Sequence, residues 1–372
     1  MTRDQLIQKR RRKKQLRVIA VGGGAAAVVL VALLVVRPML NAPKKRKTTE
    51  STEVSQTEQV EEVSTDTAQR AVLADGRTGE EGWNVNDSGW WFLNDDGTVW
   101  VSGWKTIDGQ QYWFTDNGYM ATGWVNTGDV KDVYFDETGM IDTSKQQKLV
   151  ALTYDDGPSG STDKLLDALE KYNAKATFFV VGKDQVEYYT DTLKREFELG
   201  MEIGSHTYSH PWLNQLTAEE ITEEIDKNDQ LIAKTTGSYT TIMRPTGGGI
   251  NEIMIETISK PMIQWDVDSL DWESLDADST YERIVELTQD GSIVLMHDLF
   301  APAADSAERT LNYLTSEGYK MVTVSQLAEA YGYEMEAGGQ YYAFYPDVPN
   351  GSDMNRTKAE GIYDAQNGGT GW

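Results

Sequence analysis

From residue 148 onward, short apolar runs alternate with segments whose apolar positions recur at helical spacing. The apolar runs predict strands at 148–155, 176–181, 201–207, 240–245, 262–268, 292–298 and 320–325. The amphipathic segments predict helices at 162–172, 191–198, 217–235, 279–289 and 306–317. This alternation is typical of a parallel sheet covered by helices. Seven strand–helix units favour an α/β barrel or near-barrel over an open sheet.

Residues 82–142 follow a different pattern, in which a Gly-Trp pair recurs at spacings of 21 and 20 residues. The three pairs are Gly82-Trp83, Gly103-Trp104 and Gly123-Trp124. Each pair is followed by an aromatic run and then by a turn sequence of the type DDG, DNG or ETG. Because one hairpin cannot bury its aromatic face alone, this period predicts small β-hairpins that stack on one another.

The N-terminal region contains an uncharged apolar run of 19 residues at 18–36. This is about the length that crosses the hydrocarbon core of a bilayer. Eight basic residues precede the run, so the positive-inside rule places 1–17 in the cytoplasm and the rest outside. A cleaved signal peptide is the alternative, although no A-x-A-like site with a polar spacer follows. Residues 37–80 are rich in Thr, Ser, Glu, Gln and Lys and are predicted to form a disordered stalk.

Charge is distributed unevenly along the chain, whose formal net charge is −25. Residues 1–47 contain 13 of the 34 basic residues and one acidic residue, so the remainder contains 21 basic and 58 acidic residues. Such an acidic body would repel nucleic acid and anionic polymers, and a neutral substrate fits it better. The chain has no cysteine, which excludes disulfides, thiolate nucleophiles and Cys-ligated zinc.

Polar side chains follow the predicted strands, and they include all three histidines of the chain. These residues are Asp155, Asp156, His206, His210, Arg244, Asp268, Asp271, His297 and Asp298. Functional side chains of a parallel barrel lie at the carboxyl ends of its strands. The sequence therefore predicts one pocket that contains these groups.

His206 and His210 are four residues apart, and Pro211 favours a turn there over a helix. Two imidazoles and one carboxylate suit a catalytic divalent cation with open positions, and a purely structural histidine pair is the alternative. Of the adjacent Asp155 and Asp156, one would bind the cation and the other would take a proton from the attacking water. The alternative to these two roles is that one of the aspartates caps a helix.

Five ordered motifs within residues 148–333 resemble those of the polysaccharide deacetylase family, also called the NodB-homology family or carbohydrate esterase family 4. The motifs are TYDDGP 153–158, HTYSHP 206–211, RPTGG 244–248, DSLDW 268–272 and LMHD 295–298. The resemblance implies a distorted (β/α)7 barrel and metal-dependent removal of an N- or O-acetyl group from a glycan. Zinc is the expected metal, with cobalt, manganese and nickel as alternatives.

The resemblance also implies a role for each matching residue. It makes Asp155 the catalytic base, Arg244 the residue that orients this base, His297 the general acid, and Asp271 a residue that tunes the acid. The implied metal ligands are Asp156, His206 and His210. A plain buried ion pair is the alternative for Arg244.

Substrate-binding positions follow from the same resemblance. Trp272 and Leu295 would wall the acetyl pocket, with core packing as the alternative for Trp272. Tyr154 stands where the family usually has phenylalanine, and Gly247 stands where it usually has an aromatic residue. A backbone N–H after the Arg-Pro pair would hold the oxyanion together with the metal. The missing aromatic wall at Gly247 leaves the preferred substrate open.

The aromatic hairpins resemble the choline-binding and glucan-binding cell-wall repeats of Gram-positive surface proteins. The resemblance implies attachment to a wall polymer, with aromatic side chains of neighbouring repeats forming a cage for a quaternary ammonium group. The alternative is that Trp83, Trp104 and Trp124 only hold the stack together.

The sequence thus predicts a single-pass membrane protein of a Gram-positive bacterium with an extracellular deacetylase domain. The predicted segments are 1–17 (cytoplasmic), 18–36 (transmembrane), 37–80 (stalk), 81–145 (repeats), 146–334 (catalytic) and 335–372 (tail). The expected substrate is N-acetylglucosamine of peptidoglycan. The alternatives are chitin-type oligomers, an exopolysaccharide or an O-acetyl ester, or a non-catalytic wall-adhesion protein on the same fold.

Overall fold

The computed structural model describes residues 66–73 and 77–348, which fall into two compact units. The predicted segments 1–17 and 18–36, most of the stalk and the end of the predicted tail lie outside the described residues. Within the described ranges, no helix combines the length and apolarity needed to cross a membrane.

The first unit consists of the described residues up to Ala121 together with Glu137–Met140. Its strands are β1 (Gln69–Ala71), β2 (Gly82–Val85), β3 (Trp90–Leu93), β4 (Val99–Val101), β5 (Gly103–Ile107) and β6 (Gln110–Phe114). The first four form an antiparallel sheet in the order β1-β4-β3-β2, and β5 and β6 form a hairpin. The ring of Trp83 packs edge-on against that of Tyr112, with centroids 4.8 Å apart. The predicted aromatic hairpins are confirmed here.

The third aromatic hairpin belongs to the second unit. It comprises β7 (Gly123–Val125) and β8 (Val133–Phe135), with the rings of Trp124 and Tyr134 5.1 Å apart. Lys320 Nζ donates hydrogen bonds of 2.7 Å to the carbonyl oxygen of Val130 and to Asp132. The unit that carries the large sheet therefore begins before residue 146.

The large sheet of the second unit is parallel. Its strands are β9 (Lys148–Asp155), β10 (Thr177–Val180), β11 (Glu202–Ser205), β13 (Val267–Asp268), β14 (Ile293–His297) and β15 (Tyr319–Val322), while β12 (Met262–Ile263) and β16 (Gln340–Tyr341) form a separate parallel pair. The order is β11-β10-β9-β14-β13, and β15 also pairs with β9. The predicted α/β class with a parallel sheet is confirmed.

Two of the predicted strands are reduced in the structure. The run 240–245 contributes isolated parallel bridges at Met243, and 262–268 is broken into β12 and β13. The Arg244 guanidinium donates to the carbonyl oxygens of Ile263 and Gln264 at 3.0 Å each. These carbonyls bind a side chain rather than a neighbouring strand, which interrupts the ladder at this point.

Helices cover the sheet. They are α1 (Thr162–Lys171), α2 (Thr190–Glu198), α3 (Ala218–Thr236), α4 (Glu252–Thr257), α5 (Asp271–Ser274), α6 (Ala277–Leu287), α7 (Ala301–Ser316) and α8 (Val324–Ala330). Five of these eight helices of the described residues overlap the predicted segments, whereas α4, α5 and α8 were not predicted. The longest of them, α3, begins with a capping box between Thr217 and Glu220 and ends at Gly237, whose φ of 79° suits a left-handed C-cap.

The core consists of two clusters, one on each face of the sheet, because successive residues of a strand point to opposite sides. On β9, Val150, Leu152 and Tyr154 belong to the cluster that includes the residues of α1 and α7, whereas Leu149 and Ala151 belong to a second cluster with Trp265 and Leu295. Asp155 follows the alternation of this second set. The register of β9 therefore decides which side chains reach the site.

Residues 335–348 are part of the second unit. β16 pairs with β12, and Phe344 and Tyr345 are buried. The Tyr345 hydroxyl donates a hydrogen bond of 2.8 Å to Asp266 Oδ2, in the break between β12 and β13. This segment packs against the sheet, so the unit extends past residue 334.

Candidate active site

The carboxyl ends of the central strands bring Asp155, His206 and His297 to one edge of the sheet. Asp155 is the last residue of β9 and His297 is the last residue of β14, and the two are direct partners in the parallel pairing. His206 immediately follows β11. Ligands of parallel α/β sheets bind at this edge, where the loops leave the strands.

Asp156, His206 and His210 form a cluster whose potential ligand atoms all lie within 4.8 Å of one another. His210 Nε2 is 3.0 Å and His206 Nε2 is 3.5 Å from Asp156 Oδ1. Asp156 and His210 have φ angles of 70° and 59°, which non-glycine residues rarely adopt. Such strained backbone is typical of functional sites, and here it turns the three side chains toward one another.

Protonation in this cluster leaves a place for a cation. His206 Nδ1 is 2.7 Å from the carbonyl oxygen of Arg244, which can only accept, so Nδ1 carries the proton. Burial lowers the pKa of His206, and its Nε2 therefore presents a lone pair toward Asp156. Burial would raise the pKa of Asp156, but His210, His206 and His297 hold it at about 2. A lone pair facing a buried carboxylate is unfavourable unless a positive charge lies between them.

Asp155 is buried and held by Arg244. The Nη1 atom of Arg244 donates to Asp155 Oδ1 at 2.8 Å and to Thr153 Oγ1 at 2.7 Å. Arg244 is fully buried and lies over the ring of Phe179, with its guanidinium carbon 4.3 Å from the ring centroid. Asp155 Oδ2 faces the cluster and is 3.7 Å from His206 Nε2. One carboxylate oxygen is thus fixed, and the other points to the site.

His297 is paired with Asp271. His297 Nδ1 is 2.8 Å from Asp271 Oδ1, and the backbone N–H of His297 donates to Asp271 Oδ2 at 2.7 Å. Burial would lower the pKa of His297, but the hydrogen bond and charge of Asp271, with Asp155 and Asp156 nearby, raise it to about 9. The imidazole is therefore protonated at neutral pH.

The structure places the predicted substrate-binding residues at different depths. Trp272 is 47% exposed and directly follows Asp271, so it is not packed in the core. Leu295 is buried one layer below His297 on the same face of β14. Gly247 lies in a 3₁₀ turn with a φ of 62°.

Tyr154 is not brought to the site. It is 2% exposed, and its ring stacks on that of Phe178 with centroids 5.1 Å apart, on the opposite face of β9 from Asp155. Adjacent residues of a strand cannot both face one pocket unless the chain turns. The turn begins only after Asp155, so it helps Asp156 and not Tyr154.

Two more buried residues lie beside the site: Thr153, which the sequence analysis did not name, and Asp298, which it placed in the pocket without a role. Thr153 receives the Arg244 hydrogen bond and donates to the carbonyl oxygen of Val294 at 2.6 Å. The backbone N–H of Asp298 donates to the carbonyl oxygen of Asp155, and its carboxylate accepts from Thr162. Burial raises the pKa of Asp298 to about 7. Thr153 lies on the same face of β9 as Asp155, and this alternation is the signal that could have identified it. For Asp298, the signal was its position directly after His297.

These features are those of the polysaccharide deacetylase family, and the chain belongs to it. The family model described as polysaccharide deacetylase matches residues 142–263, and a choline-binding repeat model matches residues 101–141. The second match overlaps two of the aromatic hairpins.

Three similar proteins place the chain among its relatives. The chain is 40% identical over 184 residues to the peptidoglycan-N-acetylmuramic acid deacetylase PdaC of Bacillus subtilis, a match that covers 49% of this chain and 39% of PdaC. It is 39% identical over 203 residues to the peptidoglycan-N-acetylglucosamine deacetylase PgdA of Listeria monocytogenes, covering 54% and 43% of the two chains. A solved structure described as T48 deacetylase with substrate is 39% identical with a TM-score of 0.51, covering 52% of this chain and 96% of that one. The chain thus spans about two-fifths of the two curated relatives.

Proposed function

We propose that this protein is a metal-dependent hydrolase that removes N-acetyl groups from N-acetylglucosamine residues of peptidoglycan. One observation carries the proposal: Asp155 and His297 are neighbours on paired strands, and the cluster of Asp156, His206 and His210 lies beside them. The family of the chain supports deacetylation, and the names of PdaC and PgdA support a wall glycan as substrate.

The cluster fits a divalent cation because the Nε2 lone pair of His206 faces the buried carboxylate of Asp156. Asp156, His206 and His210 would hold the ion. When bound, it would supply Lewis-acid polarisation of the acetyl carbonyl group and of the attacking water. Zinc suits two imidazoles and one carboxylate with positions left open, and cobalt, manganese or nickel could use the same ligands.

Asp155 is suited to act as the general base. Arg244 holds its Oδ1, so Oδ2 is the atom that accepts a proton from water as the water oxygen attacks the acetyl carbon. The buried guanidinium fixes the carboxylate, which limits the reorganisation needed during the reaction. A backbone N–H after Pro245 would help hold the oxyanion.

His297 is suited to act as the general acid. Its Nδ1–H is directed to Asp271, which leaves Nε2–H for the leaving nitrogen. As the bond between the acetyl carbon and nitrogen breaks, this proton passes to the amine, and acetate and a free amine result. Trp272, half exposed beside this pair, would wall the acetyl group.

Acetate release by the full-length protein tests the proposal. Peptidoglycan, chitin oligomers and acetylated xylan are compared as substrates, each with and without a chelator. We expect peptidoglycan to give the highest rate, chelation to abolish it, and zinc to restore it. The kcat of Asp155→Asn should fall at least about a thousandfold, because the substitution removes the general base and its pairing to Arg244. Asp226→Asn, at an exposed position in α3, is the matched control.

Mass spectrometry of muramidase-digested peptidoglycan then shows which sugar loses its acetyl group. Loss from N-acetylmuramic acid would replace the proposed sugar while leaving the reaction in place. Acetate release that persists in Asp155→Asn and in chelator would refute the mechanism.

Location and architecture complete the proposal. The uncharged run 18–36 and the basic residues before it support a single-pass anchor with the catalytic unit outside a Gram-positive cell. The choline-binding repeat match supports attachment to a wall polymer. Parallel bridges at Ser205–Met243 and Met243–Met262 support continuation of the sheet toward a distorted (β/α)7 barrel.

A further inference from the structure

An exposed tryptophan stands next to the candidate metal cluster, and no role assigned above uses it. Trp212 comes two residues after His210, and 53% of it is exposed. His210 Nε2 is 3.0 Å from Asp156 Oδ1, so the segment that supplies this ligand continues directly into Trp212. A large exposed apolar side chain beside a polar site is a common mark of a ligand groove.

The indole of Trp212 lies on Gly247. A Cβ atom built on Gly247 would overlap the six-membered ring of this indole at Cη2 and Cζ3. Gly247 also has a φ of 62°, which glycine adopts without strain. The absence of a side chain at position 247 therefore makes the space that the indole fills, and a larger residue there would displace it.

The residues after Trp212 hold it in place. Leu213 is 1% exposed and packs with Ile221, Met243 and Met254. The carbonyl oxygen of Asn214 accepts a hydrogen bond of 3.0 Å from Asn251 Nδ2. Packing and hydrogen bonding thus fix the backbone that follows Trp212, although the indole itself is half exposed. An aromatic face that is fixed before binding loses little conformational entropy when a ligand stacks on it.

The strands that lead to Trp212 and Trp272 lie on opposite sides of the two strands that end in the reacting groups. Trp212 follows β11 and Trp272 follows β13, and these are the two ends of the order β11-β10-β9-β14-β13. Asp155 and His297 end the strands between them. An acetyl group between the metal cluster and His297 would leave Trp212 beyond the cluster, where a neighbouring sugar of the same glycan chain would lie.

We propose that Trp212 determines glycan specificity by stacking on the pyranose ring next to the sugar that is deacetylated. The apolar C–H face of a pyranose matches an indole face, and it carries no charge for the acidic protein surface to repel. This inference rests on the proposed function, since it identifies how that site binds its polymer. The turn at Gly247 and the indole of Trp212 then form one wall of the groove.

Steady-state kinetics with the full-length protein test the inference, using chitin tetraose and muramidase-released peptidoglycan fragments as substrates. Trp212→Ala should raise KM by about tenfold, equivalent to about 1.4 kcal/mol, while kcat stays within about twofold. Trp212→Phe keeps an aromatic face, and its KM should lie between that of the unaltered protein and that of Trp212→Ala. Gly247→Ala displaces the indole without removing it and should also raise KM. Tyr239→Ala, at a 67% exposed position next to the amino-terminal side of β11, is the control and should leave KM unchanged.

Bound zinc and thermal unfolding are measured on every variant. An unchanged KM in Trp212→Ala would overturn the inference while the proposed function stands. A fall in kcat and in zinc content at constant KM would also overturn it, because Trp212 would then only support His210. If the unaltered protein releases no acetate from any glycan, the proposed function fails, and this inference fails with it.

Discussion

At the scale of the residue, the site depends on pairs in which one partner fixes the charge or orientation of the other. Arg244 holds one oxygen of Asp155, and Asp271 holds Nδ1 of His297. Both Arg244 and Asp271 are fully buried, so water does not compete with these contacts. The base and the acid therefore each have a separate buried partner.

Asp271→Asn should move the alkaline limb of the pH–rate profile. His297 must be protonated to act as an acid, so activity is lost as the pH rises through its pKa of about 9. Asparagine removes the charge that raises this pKa, which should then fall toward the ordinary value of about 6.5. The limb in a plot of kcat against pH should therefore shift to lower pH by more than about one unit.

Glu273→Gln is the control for that experiment, because it removes a charge from an exposed position of the same helix. It should leave the limb in place. An alkaline limb that is the same in Asp271→Asn and in the unaltered protein would show that His297 is not the titrating acid.

At the scale of the element, the break between β12 and β13 is built around Asp266. Its carboxylate accepts hydrogen bonds from the backbone N–H of Ile293 at 2.7 Å, from Ser292 Oγ at 2.7 Å and from the Tyr345 hydroxyl at 2.8 Å. Burial raises the pKa of Asp266 to about 6 even though these donors favour the ionised form. This side chain is one of the contacts between the sheet and the segment 335–348.

Asp266→Asn should flatten part of the pH dependence of stability. The folded protein binds this proton up to about pH 6, whereas an unfolded aspartate releases it near the model value of 3.8. The penalty of ionising buried Asp266 is absent below pH 3.8, grows up to about pH 6, and is complete above it. We measure the free energy of unfolding by urea titrations between pH 4 and 6. As the pH rises over this range, it should fall less steeply in Asp266→Asn than in the unaltered protein.

Asparagine can still accept from Ile293 and can donate to either hydroxyl, so the fold should be retained. Asp226→Asn is the matched control at an exposed position, and it should keep the original slope. Equal slopes in Asp266→Asn and the unaltered protein would rule out titration of this carboxyl group.

The hairpins of the first unit show a second feature at this scale, because their aromatic rings already face cations of the chain. The guanidinium carbon of Arg77 is 4.2 Å from the ring centroid of Tyr119 and 5.6 Å from that of Trp91. Arg70 and Lys105 lie over Trp100 in the same way, at 5.1 Å and 4.5 Å. A quaternary ammonium ligand would compete with these side chains for the ring faces.

We predict that the hairpins bind choline and that Arg77→Ala strengthens this binding, because the substitution removes a tethered competitor. A cation–π contact of about 0.5–1 kcal/mol corresponds to a gain of about two- to fivefold in affinity. Calorimetric titration of the full-length protein with choline measures it. Lys131→Ala removes a cation–π contact with Tyr331 in the second unit and is the control. Weaker binding in Arg77→Ala would show that Arg77 supports the cage.

At the scale of the whole molecule, charge separates the first 47 residues from the rest. The basic start suits an anionic cytoplasmic membrane face, and the acidic remainder suits a neutral glycan more than an anionic polymer. Because the uncharged run 18–36 is the proposed anchor, we expect a chain without these residues to leave the membrane fraction after alkaline carbonate extraction. The chain that contains them should stay in that fraction. A mature protein whose N-terminus begins after residue 36 would instead identify a cleaved signal peptide.

The sequence by itself determined the class of fold and pointed to the residues of the candidate site. Strand and helix periods differ, so the alternation from 148 onward was enough to predict a parallel sheet with covering helices. The three histidines and the aspartate pair were identifiable because few residue types can bind a cation or move a proton, and here they follow apolar strands. Local patterns carry this information without any knowledge of long-range contacts.

Only the tertiary structure decided how these residues and their neighbours face. The turn after Asp155 puts Asp156 in the site and leaves Tyr154 in the core, and Arg244 interrupts the ladder between Ile263 and Gln264. The position of Trp212 over Gly247 joins residues 35 apart in sequence, beyond the reach of any helical or strand period. Such contacts depend on how distant segments pack, and packing is not encoded in the spacing of apolar residues along one segment.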